Sequence, residues 1–363
     1  MIYFAYFILA FAGLQLLTAF LNYIFRANYS VYRTVNNELV TILIPARNEE
    51  KNIGNILNDI SEQSYKSIEI IVIDDDSNDR TREIVLEKSL SDNRIKLIDA
   101  GLTDSSWLGK NHACYQGASS AKGKYLLFLD ADVRLGKDVV SEVLGYLEKS
   151  RSVFLSVFPK QVLINDGVRA VVPIMNYILL SLLPLFLVRY SRFTSMAAAN
   201  GQLMLFNAEV YRAFEPHKKF KHEKAEDIRI ARFLKKKKFN IACLTGNDDI
   251  KCRMYDNYND AMDGFSKNVV EFFGNSFIAA MLFWLISLTG IIWTAIFLPA
   301  WLTIIYIIII ICTRILISIV SRQDITDNIT MHFVQIYNLG LLIFKSITHK
   351  INKSYQWKGR NIA

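Results

Sequence analysis

The chain has 363 residues, 52% of them hydrophobic, and a formal net charge of +8. A basic excess suits nucleic acid or an anionic membrane surface; no interleaving of aromatic with basic residues and no nucleic-acid fold signature accompanies it, which leaves the membrane surface. Five histidines and four cysteines (Cys114, Cys243, Cys252 and Cys312) show no zinc-type spacing, which argues against a structural zinc and for reduced thiols in a cytoplasm-facing domain.

Residues 2–25 carry no charge and are interrupted only by Gln15, Thr18 and Asn22, enough apolar length to cross a bilayer. A basic start and a small-residue cleavage site are lacking, so 1–25 reads as a retained transmembrane anchor. Beyond it, Val-Thr-Ile-Leu-Ile-Pro at 40–45 reads as a buried strand, followed by a helix with Ile53, Ile56, Leu57 and Ile60 at helical spacing. A second strand at 68–73 runs into Asp74-Asp75-Asp76-Ser77; a helix from about Thr81, a third strand at 95–98 and a helix near Lys110 follow. The next strand delivers two carboxylates, Asp130 and Asp132, at its end. Alternation of strand and helix with short connections predicts an α/β fold with a mostly parallel sheet flanked by helices. Ligands of such sheets sit beyond the carboxyl ends of the strands, where Arg47-Asn48-Glu49, 74–79 and 130–132 all fall. Oxygen ligands in that place suit Mg²⁺ or Mn²⁺ held against a diphosphate, although acidic residues one apart also occur in plain turns.

Residues 171–188 are almost wholly apolar and contain Pro173 and Pro184, a surplus for a domain that already has a core; they predict an interfacial segment lining a lipid entrance, or a buried helix. Glu226-Asp227 opens a helix with Ile228, Ile230, Ala231 and Leu234 apolar, a placement the helix dipole alone would favour. Four consecutive lysines, 235–238, suit anionic headgroups or a solvated helix end. Two further spans are predicted within 277–320, joined at Pro299. Arg26 and Arg33 follow the first span, Lys267 precedes the second and Arg322 follows the third, which places the domain at 38–270 in the cytoplasm. The stretch 331–348 contains His332, Gln335, Asn338 and Lys345 and reads as an interfacial helix leading into a basic cytoplasmic tail that ends at 363.

In order and spacing, Pro45-Ala-Arg47-Asn-Glu49, Asp74-Asp75-Asp76-Ser-Asn-Asp79, Trp107-Leu-Gly-Lys110-Asn, Asp130-Ala-Asp132 and Glu226-Asp227 resemble family 2 glycosyltransferases of the GT-A fold. The resemblance covers roughly 38–270 and implies inverting transfer of a sugar from a nucleotide sugar. It implies nucleotide contacts from Pro45, Arg47, Glu49, Asp74 and Asp75, a diphosphate contact from Lys110, and Asp132 as metal ligand with Asp130 turned to the ribose or the metal. It also implies a catalytic base on Asp227 beside Glu226. His217 matches a Gly-Gly-His element of many relatives, but here the sequence reads Glu215-Pro216-His217. Gly201 stands where relatives have a small residue near the acceptor. Trp357-Lys-Gly-Arg360 resembles the ending of membrane members that glycosylate lipids, and Lys267 belongs to a stretch, 264–268, that lacks the Gln-x-x-Arg-Trp of processive polysaccharide synthases. These two segments imply single transfer to a membrane lipid, with a processive polysaccharide synthase as a further alternative. Residues 45–51, 109–117 and 253–255, with 264–267 and the tail, are most similar to bacterial enzymes that glucosylate a carotenoid acid. This implies UDP-glucose as donor and the carboxylate of diaponeurosporenoate as acceptor, with a hydroxyl on a ceramide-, hopanoid-, diacylglycerol- or polyprenyl-phosphate-type lipid as the alternative. A carboxylate is already ionised at neutral pH and needs no base, so Asp227 favours the hydroxyl.

Overall fold

The structure is a computed structural model that describes residues 1–101, 106–352, 356–357 and 360–361. Its described chain divides into two compact units, one formed by 27–160 and 186–252, the other by 1–26, 161–185 and 253–363.

The first unit is built on strands β1 (Val40–Ala46), β2 (Ile68–Asp74), β3 (Ile95–Asp99), β4 (Tyr125–Leu129), β5 (Val133–Leu135), β6 (Phe154–Phe158), β7 (Lys160–Gln161), β8 (Leu203–Asn207), β9 (Ile241–Thr245) and β10 (Ile250–Cys252). Seven of them form one sheet in the order β3-β2-β1-β4-β8-β6-β9. Neighbours run parallel except β8, which is antiparallel to both β4 and β6. Strands β2 and β4 are buried at every position and β1 at nearly every one, as continuous apolar runs covered on both faces must be. The chain passes from β1 outward to β2 and β3 and returns to β4 on the other side of β1, so a topological switch point lies between the ends of β1 and β4. Helix Gly109–Ser120 packs on β1 and β2. Gly117 permits that approach: a Cβ there would lie 2.6 Å from Ile73 Cδ1. Of the four lysines at 235–238 the first does not join the exposed run. Lys235 is buried and its amine donates to the carbonyls of Leu187 and Val188 at 3.1 and 2.9 Å and to that of Met196, while 236–238 are exposed.

In the second unit, helices Ile2–Ile24, Phe277–Phe297 and Ala300–Ser321 are accompanied by Pro173–Leu182 and His332–Asn352. Three helical stretches, Ile2–Val31, Phe277–Phe297 and Ala300–Ser321, are long and apolar enough to cross a bilayer. The polar interruptions of the first all lie on its buried stripe. Gln15 donates to Ser181 Oγ at 3.3 Å, and Asn22 donates to the carbonyls of Leu180 and Leu183, both at 2.9 Å, while accepting from the Leu185 amide at 2.7 Å. The apolar segment singled out in the sequence is thus, up to residue 185, a packing partner of the first helix, and Asn22 satisfies the carbonyls freed where Pro173–Leu182 ends. Gln356–Trp357 and Arg360–Asn361 pair as a two-residue hairpin with Trp357 opposite Arg360; Lys358 and Gly359 of the tail motif lie outside the described residues.

Candidate active site

At the carboxyl ends of β1 and β2 two loops interlock. The Asp75 amide donates to the Ala46 carbonyl at 2.8 Å, and Arg47 Nη1 donates to the Asp75 carbonyl at 2.6 Å and approaches Asp76 Oδ2 at 3.5 Å. Asn48 and Asp76 both adopt the left-handed backbone (φ 52° and 60°), which short polar side chains tolerate. Amides of Asn48 and Glu49 donate to Ser77 Oγ and Thr81 Oγ1 at 3.0 and 2.7 Å, and the Asn78 amide to Asn48 Oδ1 at 2.9 Å. Asp74 and Asp75 are 6% and 3% exposed, and Asp74 accepts from the Ser77 amide and faces Arg82 at 3.5 Å. Pro45 sits within β1 opposite Ile73. Segments 45–49 and 74–81 therefore form one cross-bonded ledge.

A second cluster gathers between β4 and β8. Lys110, in the first turn of helix Gly109–Ser120, lies 2.7 Å from Asp130 Oδ1. Burial works against its charge, but the carboxylates of Asp130 and Glu226 outweigh it and hold the amine above the usual lysine range. Glu226 and Asp227 open helix Glu226–Lys236. Asp227 Oδ1 accepts from the Ile228 amide and Oδ2 from the Gly201 amide, both at 2.8 Å. Burial raises both carboxyls, Asp227 to about 6 in spite of those two donors, and Glu226 is raised further by the Asp227 charge. Gly201 lies where these side chains meet: a Cβ there would be 3.3 Å from Glu226 Oε1 and 3.4 Å from Lys110 Nζ. The Gly201 loop is held by its neighbours, since the Asn200 amide donates to Ser156 Oγ at 2.7 Å and the Asp130 amide donates to the Gln202 carbonyl at 3.1 Å.

Asp132 occupies the turn between β4 and β5. Burial, and then the charges of Asp130 and Glu49, raise its carboxyl, while the Cys252 thiol donates to it. Cys252 in turn accepts from Gln202 Nε2 at 2.7 Å. Asp132 Oδ1 is buried with no hydrogen-bond partner, an arrangement that costs stability unless something supplies positive charge. Among the described residues no group of three or more His, Cys, Asp or Glu side chains is gathered as a ligand set.

The remaining residues singled out in the sequence lie elsewhere. His217 is fully buried, its Nδ1 2.7 Å from the Tyr211 hydroxyl and its ring 4.7 Å from that of Phe128. Burial, aided by the Lys110 charge, pushes it down to about 3 and keeps it neutral. Lys267, just past helix Tyr258–Ser266, and the Trp357 and Arg360 hairpin belong to the other unit. Cys252 reads in the sequence only as a reduced thiol and Gln202 not at all, since neither carries a local signal of its place beside Asp132.

Sheet order and switch point are those of the GT-A type of fold. Residues 41–214 match the model of Glycosyl transferase family 2. The 4,4'-diaponeurosporenoate glycosyltransferase of Staphylococcus haemolyticus is 27% identical over 271 residues, covering 71% of this chain and 68% of that one. The protein of the same name from Staphylococcus aureus is 30% identical over 239 residues, covering 64% of this chain and 61% of its own length, so the match spans less than two thirds of that relative. Among solved structures, a mannosyltransferase of Pyrobaculum calidifontis in complex with GDP-Man and Mn²⁺ superposes with a TM-score of 0.58 at 16% identity, covering 94% of this chain and 99% of that one.

Proposed function

We propose that the chain transfers one glucose from UDP-glucose, with inversion, onto a membrane lipid, and that the acceptor is the carboxylate of 4,4'-diaponeurosporenoate. The observation that carries this is the convergence of Lys110, Asp130, Glu226 and Asp227 around Gly201, beside the unpartnered Asp132 oxygen. The names of the staphylococcal relatives support the acceptor.

The ledge of Pro45, Arg47, Glu49, Asp74 and Asp75 receives the nucleoside, with carboxylates accepting from the base N–H and the sugar hydroxyls. Lys110, which pairs with Asp130, meets the diphosphate in this reading. Asp132 and Asp130 fit a hard divalent cation, Mg²⁺ or Mn²⁺, and the mannosyltransferase of like fold was solved with Mn²⁺ and a sugar nucleotide. Such a cation supplies charge neutralisation at the departing diphosphate. Asp227, fixed by two amides, stands as base: an acceptor hydroxyl gives it a proton as the acceptor oxygen bonds to the anomeric carbon and the bond to the diphosphate breaks. With a carboxylate acceptor there is no proton to remove. The raised carboxyl of Asp227 is the specific observation favouring the second reading, a hydroxyl on another lipid.

In this reading the chain crosses the cell membrane three times, the catalytic domain lies on the cytoplasmic side with the helix at 332–352 in the interface, and Gly201 stands on the acceptor side of the catalytic cluster. Membranes containing the chain, supplied in parallel with labelled UDP-glucose, UDP-GlcNAc and GDP-mannose, incorporate label into lipid from UDP-glucose. Incorporation from another donor alone would overturn the sugar assignment.

A further inference from the structure

One strong charge in the membrane helices serves no step of that chemistry. Arg314, on helix Ala300–Ser321, is 2% exposed. Its Nε donates to His332 Nδ1 at 2.8 Å and its Nη1 to Gln335 Oε1 at 2.6 Å, and the guanidinium lies 3.9 Å over the Tyr177 ring. All three are neutral contacts. No Asp or Glu among the described residues lies within salt-bridge distance of it; Asp327, on the neighbouring helix Ile325–Thr330, is engaged by Arg169 at 3.2 Å. Of the five N–H groups of a guanidinium only two have partners here, and Nη2 is buried with none.

The surrounding network is short of acceptors. Gln335 Nε2 donates to the Arg169 carbonyl and to Asn328 Oδ1, at 3.0 and 3.2 Å. Asn328 Nδ2 donates to Ser318 Oγ and Gln323 Oε1, at 2.9 and 3.1 Å. The atom left over at the far end, Gln323 Nε2, is again an unpartnered donor. A buried arginine keeps its charge, and in a membrane an ionised side chain without a counter-ion is costly enough to mark a ligand or a pathway. Two orphan donors and an uncompensated cation in one network call for an anion. Between Arg314 and Ser321 the helix rises about 10 Å, so the guanidinium sits within reach of the headgroup level at the Arg322 end. By the positive-inside orientation that end faces the cytoplasm, the leaflet from which a cytoplasmic transferase draws lipid.

We propose that Arg314 is the counter-ion of an anionic lipid head, a carboxylate or a phosphate, that enters the membrane helices. The proposal deepens the lipid-acceptor reading and rests on its membrane orientation. Guanidinium and carboxylate or phosphate match in a two-pronged hydrogen-bonded geometry, so a lipid anion is held more tightly than a neutral lipid of equal chain length.

The test uses the full chain in phosphatidylcholine nanodiscs and cis-parinaric acid, a fluorescent polyene carboxylate, read by energy transfer from Trp284 and Trp293 on helix Phe277–Phe297. Wild type binds the acid at least about tenfold more tightly than its methyl ester; Arg314→Gln loses that preference and Arg314→Lys, which keeps the charge, retains part of it. Equal binding of acid and ester by wild type, or unchanged acid preference in a folded Arg314→Gln, overturns the proposal. Displacement of parinarate by phosphatidic acid more readily than by oleic acid supports it with phosphate as the natural head; the reverse order supports it with carboxylate. Wild type assayed both ways separates the two readings: acid-selective binding without transfer to any lipid sinks the acceptor reading and leaves the anion site standing, whereas transfer to lipid without acid preference sinks the anion site and leaves the acceptor reading.

Discussion

The two clusters at the sheet's carboxyl edge are both rich in carboxylates and differ in how those carboxylates are satisfied. On the ledge formed by 45–49 and 74–81, loop amides and arginines meet the acidic side chains, and Asp79 is held below its ordinary range because Thr81 and amide donors outweigh burial. Around Gly201 burial dominates: Glu226, Asp227 and Asp132 are all raised, and one oxygen of Asp132 has no partner. On the proposed reading the satisfied ledge recognises the donor, and the desolvated cluster, whose groups respond to a proton, a cation or a developing anion, is where charge moves.

The contrast predicts a ranking of effects. Asp132→Ala, measured as label transferred by membranes with equal protein content, abolishes transfer while the protein still inserts and folds; retained metal-dependent activity would erase the distinction between the clusters. Asp227→Asn lowers kcat by roughly 10²-fold or more with a hydroxyl acceptor, the usual range for a general base, and far less with a carboxylate acceptor. Gly201→Val, whose branches enter the space beside Glu226 and Lys110, lowers kcat by about tenfold, roughly 1.4 kcal/mol of barrier. Asp75→Asn, on the ledge, raises KM for the donor by several-fold with kcat nearly kept, because recognition is what the ledge supplies. The pH profile sharpens the comparison last. A base must be deprotonated to act, so with a hydroxyl acceptor the acid limb of kcat/KM falls as pH drops through about 6, above the ordinary carboxylate range, and Asp227→Asn removes that limb.

Much of this was legible along the chain because the sheet's strands are continuous apolar runs and each ends in polar residues. β1, β2 and β4 were readable to within a residue or so, and with them the places of Arg47, Asp75, Asp130 and Asp132. Antiparallel β8 was not, and with it went the reason Gly201 matters: Gly201 reaches Asp227 only through the fold. Cys252 and Gln202 beside Asp132 are products of long-range pairing, invisible to spacing. Lys235 reads as one of four lysines suited to anionic headgroups or a solvated helix end, yet carbonyls of the segment from Leu187 to Met196 draw it inward, and burial pushes its amine down to about 8. Hydropathy marked the three helices long and apolar enough to cross a bilayer, but Arg314 stands inside one of them, and the neutral network around it was out of reach of any window average.

The most direct measurement is transfer of radiolabel from UDP-glucose, with Mg²⁺ or Mn²⁺, into the lipid extract of membranes containing this chain, with and without a diapocarotenoic acid. Label in a pigmented glucosyl ester that depends on the added acid and on Asp132 is the predicted result. Label in a colourless lipid regardless of the acid, or none in lipid at all, would contradict it.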